Sequence, residues 1–359
     1  MGQVVSGIIW ASVVAVALRP PFRGGRLGYA CFLLTMAINE IPLVFLVVVG
    51  ISVAIPAMTG PSEAAAWLSV PLFVFVGVGL VWLQVRAGRS ATALGQTSTP
   101  WLAGILAPFQ RHTRGVVRVR NQSYGPHGRA NLLDVYRDSS HPMGRPILVH
   151  LHSGGFIQGG KSREGVALLN QLASHGWLCI SATYRLRAEA AHPNPLVDTK
   201  RVVAWARAHA GEWGADPDVV VLAGSSAGGH LATSAALTPN EPRFQPGFED
   251  ADTSVAAAVS LYGYLGPRTA DPSSAPAALV HRDAPPTLVI DAGNDTALPA
   301  GVAAAFVTAL REVSASPVVH AVLPGAQHNF DVFASVRARV VATAIEDFLD
   351  AVRPGASTR

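Results

Sequence analysis

Charge is scarce in this chain. Of 359 residues only 14% are Asp, Glu, Lys or Arg, against 50% hydrophobic, and the mean hydropathy of +0.32 is high for a water-soluble enzyme. The shortage is local. Residues 1 to 89 hold only Glu40 and Glu63 as acids and Arg19, Arg23, Arg26, Arg86 and Arg89 as bases, whereas the remainder has an ordinary globular balance. The sequence pI near 9.4 therefore reflects the flanks of apolar segments rather than a nucleic-acid-binding surface. Cysteine is nearly absent too: Cys31 lies in an apolar segment and Cys179 in a predicted strand, so no disulfide framework is expected and a reducing compartment fits. No spacing of His, Cys, Asp and Glu suggests a metal, no motif calls for a cofactor, and no internal repeat stands out. A secretory signal needs a basic leader and a small-residue cleavage site, and neither is clear.

Three apolar segments fill the first 89 residues and are read as two to three retained transmembrane helices. Ala64 to Val85 is free of charge throughout, about 33 Å as a helix and enough to cross the ~30 Å hydrocarbon core. Tyr29 to Ala57 is interrupted by Asn39-Glu40 and Pro42, and Ile41 to Ala57 alone reaches about 25 Å. Val4 to Leu18 is shorter still. Arg19, Arg23 and Arg26 lie between the first and second segments, Arg86 and Arg89 follow the third, and the loop Met58 to Glu63 has no basic residue. If all three segments span, the excess of positive charge on the cytoplasmic side predicts a multi-pass cell-membrane protein with its N-terminus outside and its C-terminal domain in the cytoplasm. Glu40 reads either as a buried functional carboxylate or as an interfacial residue. Residues 90–114 form a linker in which Trp101, Leu102, Ile105, Leu106 and Phe109 share one helical face, suited to packing on the next domain or to lying at a lipid surface.

From residue 115 to 359 the pattern alternates. A hairpin-like pair near Val116 to Val119 and Asn131 to Tyr136 precedes strands near Ile147, Leu178, Val219, Ala256, Leu288 and Val319, with helical stretches between most of these. That predicts an α/β domain with an eight-stranded, mostly parallel sheet. Within it, Gly224-Ser225-Ser226-Ala227-Gly228 follows the apolar run Val219 to Leu222 and opens a helix-like stretch from His230 to Leu237. A strand, a sharp turn with serine at its apex and a helix make a nucleophile elbow. The positions two before and two after the serine must lack bulk, and Gly224 and Gly228 supply this for Ser226; Ser225, between Ala223 and Ala227, fits less well.

Upstream, the strand Arg145 to His152 runs into Ser153-Gly154-Gly155-Phe156. There the N–H groups of Gly154 and Gly155, with that of Ala227, would form an oxyanion hole. Downstream, Asp291 and Asp295 follow the strand Pro286 to Ile290, and His328 follows Val318 to Leu323. The order Ser, Asp, His, each on a loop after a strand, matches α/β-hydrolases. His328 would take the serine proton and hand it to the leaving group, and Asp295 would hold the imidazole in the useful tautomer. His230 and His320 read as packing residues, and His150 and His152 as shaping the oxyanion turn. Only about 23 residues, Gly263 to Pro285, separate the sixth and seventh strands, too few for a large inserted cap.

His152-Ser-Gly-Gly-Phe156, Tyr184-Arg185-Leu186, Gly224-Ser-Ser-Ala-Gly-Gly-His230 and Ala326-Gln-His328 resemble the hormone-sensitive-lipase-like α/β-hydrolases. More narrowly, Val197 to Trp205 and Ala236 to Ser254 are similar to membrane-anchored carboxylesterases of actinobacteria. The resemblance covers roughly Gly115 to Val352. It implies a membrane-anchored carboxylesterase or lipase acting on ester or lipid substrates, with Ser226, Asp295 and His328 as triad and Gly154 and Gly155 in the oxyanion turn. A serine peptidase, an acyltransferase or a catalytically silent membrane-tethered binding protein are the alternatives on the same fold. Ser153 departs from the family, which usually has a first glycine there.

Overall fold

The computed structural model describes residues 2–59, 64–140 and 144–352. Most of the loop Met58 to Glu63 and the last seven residues of the 115–359 segment lie outside the described residues. Six helices come first: α1 (Gly2–Leu18), α2 (Gly25–Glu40), α3 (Pro42–Thr59), α4 (Val70–Gly88) and the short α5 (Ser90–Ala93) and α6 (Trp101–Leu106). Strands and helices then alternate as β1 (Val116–Ser123), β2 (Leu132–Asp138), β3 (Arg145–Leu151), α7 (Val166–Ser174), β4 (Leu178–Ala182), α8 (Asn194–His209), β5 (Ala215–Ser225), α9 (Ala227–Ala236), β6 (Ala257–Leu261), β7 (Thr287–Ala292), α10 (Val302–Val313), β8 (Val318–Leu323) and α11 (Val336–Val352).

The eight strands form one sheet in the order β1-β2-β4-β3-β5-β6-β7-β8. β1 and β2 pair antiparallel, as do β2 and β4, while β3 runs parallel to β4 and β5, and β6 parallel to β5 and β7. The eight strands expected from the sequence, mostly parallel, are present. β4 and β6 are buried at every position, as strands covered on both faces by helices must be. The outermost strands, β1 and β8, alternate with exposed positions, and charged Arg118 and Arg120 on β1 discourage edge pairing with another chain.

The chain divides into two compact units. The larger comprises Gln110–Asp291, Gly301–Ala321 and Val341–Arg359. Its core joins Leu133, Ile147, Val149, Leu151, Ile180, Val220 and Leu222 of the sheet to Leu196, Val202 and Val203 of α8 and to Leu231 and Ala235 of α9. Each such side chain contributes about 1.5–3 kcal/mol on full burial. α8 starts where Pro195 sits in the first turn, a position that needs no N–H donor. Two motifs noted in the sequence meet here. Asp198 of α8 accepts from the Arg185 backbone N–H and from its Nε, both at 2.9 Å, fixing Tyr184-Arg185-Leu186. Lys200, fully buried, donates to the Thr238 carbonyl, to Thr253 Oγ1 at 3.0 Å and to Gln245 Oε1 at 3.3 Å, pinning the 236–254 loop.

The smaller unit comprises Met1–Phe109, Ala292–Ala300 and Val322–Val340. α1, α2, α3 and α4 share a core of Val14, Ala17, Ile38, Val49, Val76, Leu80 and Leu83. A Cβ on Gly79 would lie 2.4 Å from Val14 Cγ1, so the α1–α4 crossing requires glycine there. α2 and α3 meet at a 91° bend, because Pro42 cannot continue a helix and pushes Ile41 out of helical geometry. α6 packs through Trp101, whose ring closes on Gly88, and through Gly104 against Val336, while Leu102 and Leu106 stay exposed.

Burial disfavours the charged Lys200 ammonium and pushes its pKa from 10.5 down to about 8. Between pH 8 and 10.5 the unfolded chain therefore binds a proton that the folded one does not, so this group adds stability as pH rises through that window. Urea denaturation of wild type and Lys200→Met should show wild type gaining on the variant from pH 8 to pH 10. A pH-independent difference would mean that Lys200 keeps its ordinary pKa.

Candidate active site

β5 ends at Ser225 and α9 begins at Ala227, with Ser226 between them at φ 54°, ψ −114°. A non-glycine residue held at positive φ costs of order 1–3 kcal/mol and persists only where its surroundings fix it. They do so here: the Ser226 N–H donates to Leu261 O at 2.8 Å, and its carbonyl accepts from the His230 N–H at 3.0 Å, starting α9. An added Cβ at Gly224 would lie 2.1 Å from Gly228 O, and one at Gly228 would lie 2.0 Å from Leu151 O. Ser225 is different. It is fully buried, with Oγ 3.2 Å from His150 Nε2.

The register pairing Leu151 with Gly224 sets the turn after β3 beside this elbow. Gly154 (φ 126°), Gly155 (φ 61°) and Phe156 (φ 63°) follow one another at positive φ, and a Cβ at Gly154 would collide with Gln158 O. Ser153, where the family usually has glycine, is not among the positive-φ residues. Its buried hydroxyl donates to Glu164 Oε1 at 2.8 Å. The His152 ring stacks on Tyr184 at 4.4 Å and its Nδ1 donates to Ser153 O, while the Tyr184 hydroxyl donates to His152 O at 2.8 Å. His230 bonds through Nδ1 to Tyr264 O at 2.7 Å and meets the Phe156 ring edge-on. Burial, the largest influence in each case, lowers His150 to about 3, His152 to about 4 and His230 to about 3. All three are neutral and poor proton acceptors at neutral pH, in keeping with the packing role read for His230 and the turn-shaping role read for His150 and His152.

The smaller unit holds the acid and the base of the expected triad. Asp295, in the turn after β7, accepts the N–H groups of Ala297 and Leu298 on Oδ1, at 2.8 and 3.0 Å, and lies 2.7 Å through Oδ2 from His328 Nδ1. That contact engages Nδ1 and so orients the imidazole. The two loops are joined by backbone: Gly293 N–H donates to Leu323 O at 3.0 Å and Asn294 N–H to Ala326 O at 2.8 Å. Asp291, the competing carboxylate, pairs instead with His320 Nε2 at 2.8 Å in the larger unit. Among the described residues no group of three or more His, Cys, Asp and Glu is placed to hold a metal ion.

Residues that sequence reasoning passed over surround His328. Phe32 of α2 meets its ring edge-on, centroids 5.6 Å apart. Gln327 accepts the N–H groups of Thr296 and His328, each at 3.0 Å, and donates to Thr35 Oγ1 at 3.1 Å. The available signal was Thr35 and Asn39, two polar residues one helical turn apart inside an apolar stretch. Glu40 is buried and paired with Arg337, with Ser335 Oγ donating to it at 3.2 Å, so it is not an interfacial residue.

The BD-FAE family profile matches residues 133–266. The probable carboxylic ester hydrolase LipM of Mycobacterium tuberculosis is 35% identical over 97% of this chain and 93% of its own length. Esterase LipQ of the same organism is 36% identical over 76% of this chain and 70% of its own. Among solved structures, butyrate-bound esterase 2 of Thermogutta terrifontis superposes with a TM-score of 0.60 at 20% identity, covering 68% of this chain and 95% of that one, a likeness of fold.

The two turns differ in how a methyl group would be received. Gly228→Ala forces a Cβ into Leu151 O and should prevent the domain from folding, whereas Gly155→Ala meets nothing within 4 Å and should cost about 1–2 kcal/mol for its left-handed backbone. Soluble yield and thermal melting check this. A Gly228→Ala protein that melts like wild type would mean that the elbow is not closed as described.

Proposed function

The chain belongs to the hormone-sensitive-lipase-like carboxylesterase family and is a carboxylic ester hydrolase; from that premise we propose that Ser226, His328 and Asp295 carry the reaction and that the N-terminal helices hold the enzyme at a membrane. His328 Nε2 takes the Ser226 proton as the serine oxygen attacks the ester carbonyl, then protonates the departing alcohol. The N–H groups of Gly154, Gly155 and Ala227 receive the oxyanion of each tetrahedral intermediate, a contribution of about 10²–10³ in rate per donor. Water, activated by the same imidazole, hydrolyses the acyl-enzyme. Asp295 keeps the proton on Nδ1 and stabilises the imidazolium.

The observation that carries this reading is the 2.7 Å Asp295–His328 contact, while the competing carboxylate, Asp291 on β7, is already engaged by His320 on β8. The strained backbone at Ser226 supports it from the nucleophile's side. Ser226→Ala should abolish both ester hydrolysis and labelling by a fluorophosphonate, while Ser225→Ala keeps substantial activity. Asp295→Asn should lower kcat by about 10⁴, as loss of tautomer control does in serine proteases, and Asp291→Asn far less. The reverse ranking in either pair would reassign the residue.

Membrane attachment is supported by composition and exposure. Among the described residues one helical stretch, Trp67–Ala93, is long and apolar enough to cross a membrane, and the bent pair Gly25–Glu40 and Pro42–Ala54 would supply a second if it counts as one span. On α4 the side chains of Val70, Val74, Val78, Val81, Trp82 and Val85 are all exposed, a continuous apolar stripe of the kind that lipid or another protein covers. By the positive-inside rule, Arg86 and Arg89 at its C-terminal end favour a cytoplasmic side for the hydrolase. The full chain should remain in the membrane pellet through an alkaline carbonate wash, and a C-terminal reporter should behave as cytoplasmic. Release by the wash would sink the anchor, and digestion of the hydrolase by protease added outside intact cells would invert the orientation.

A further inference from the structure

The loops bearing Asp295 and His328 are held by side chains of α2, a helix that neither the family motifs nor the reaction requires. Gln327 is fully buried between them. Its amide oxygen faces two groups that can only donate, the N–H of Thr296 and the N–H of His328, each at 3.0 Å. That fixes the orientation of the amide, since a flipped group would set donor against donor. The NH₂ must then face Thr35, where Nε2 lies 3.1 Å from Oγ1. The Thr35 hydroxyl gives its own proton to Cys31 O at 2.7 Å and so offers Gln327 a lone pair. Every member of the chain has its partner and each direction is determined.

The same helix grips both loops elsewhere. The Gly24 N–H, just before α2, donates to Thr296 O at 2.9 Å, and Gly28 is so close that a Cβ would lie 2.4 Å from that oxygen. Arg23 donates to Gly293 O at 3.2 Å and to Asn294 Oδ1 at 3.3 Å. At the far end, Asn39 donates to Thr35 O and accepts from Arg86, both at 3.0 Å, and Glu40 pairs with Arg337. Between these anchors the Phe32 edge closes one side of the His328 ring.

We propose that Gln327, seated on Thr35 of α2, is a positioning residue that sets the separation of the Asp295 and His328 loops, with Phe32 confining the imidazole. The N-terminal helical region is thereby part of the catalytic apparatus and not only an anchor. This rests on the triad reading above. Catalytic geometry is steep in distance, and a misplacement of about 1 Å costs up to 10²-fold.

The test uses the full-length protein in detergent with a short soluble ester such as 4-nitrophenyl butyrate. Thr35→Val keeps the shape and removes the acceptor, whereas Thr35→Ser keeps the acceptor. Thr35→Val should lower kcat roughly tenfold with KM changed less than about twofold, slow fluorophosphonate labelling in parallel, and leave the melting temperature above the assay temperature; Thr35→Ser should restore the wild-type kcat. Wild-type kcat in Thr35→Val, or an equal loss in Thr35→Ser, would overturn the proposal. Should Thr35→Val not accumulate as folded protein, Phe32→Leu decides the matter: a fall in kcat at constant KM supports the proposal, and wild-type kcat overturns it. Ser226→Ala in the same series separates the two readings. Full activity there would sink the triad itself, while an inactive Ser226→Ala beside an unaffected Thr35→Val would sink the positioning role alone.

Discussion

Two missing side chains govern the turn at Ser226. Gly224 and Gly228 sit so close to each other and to the end of β3 that neither can carry a Cβ: the nearest backbone oxygens would lie 2.1 and 2.0 Å away. Because the backbone closes there, β5 can pass into α9 through one residue at positive φ, and that residue is Ser226. The same contact brings the elbow against Leu151 O, and thus fixes it beside the glycine turn of residues 153–156. Strain at one residue is offset by the packing of a whole strand and helix around it.

Buried polar chemistry does comparable service in the smaller unit. Buried amides, hydroxyls and a buried ion pair are costly unless each donor meets an acceptor. Thr35, Asn39, Glu40, Thr296, Gln327, Ser335 and Arg337 are all buried, and hydrogen bonds link them across segments far apart in the chain. Such a network resists small displacements, because moving one member leaves another unpaired. Precision is what a carboxylate–imidazole pair at 2.7 Å requires. An apolar interface of equal area would hold the loops but would not fix their register so narrowly.

The larger unit uses the same economy at Asp198 and Lys200. Both stand on α8, and each ties down a connecting segment, one through Arg185 and the other through Thr238, Gln245 and Thr253. The conspicuous motifs Tyr184-Arg185-Leu186 and Val197 to Trp205 are two sides of one contact, which explains their presence without a catalytic role.

Local chemistry determined much of this molecule. A hairpin-like pair and the alternation of strand-like and helical stretches after it marked the eight strands, the G-x-S-x-G spacing marked the frame of the elbow, and the scarcity of charge before residue 90 marked the apolar helices. These features are legible because each rests on residues within one turn or one strand of each other. The partner choices were not. Asp291 and Asp295 are four positions apart, the first on β7 and the second in the turn after it, and nothing in that spacing assigns the first to His320 and the second to His328; only the paths of β7 and β8 do. Glu40 read as a polar interruption of an apolar stretch and Thr35 drew no reading, and their partners Arg337 and Gln327 stand almost 300 residues on. Hydrophobic periodicity reports which face of an element is buried and is silent about what it is buried against, so the pairing of α2 with the acid and base loops was decided by the tertiary structure alone.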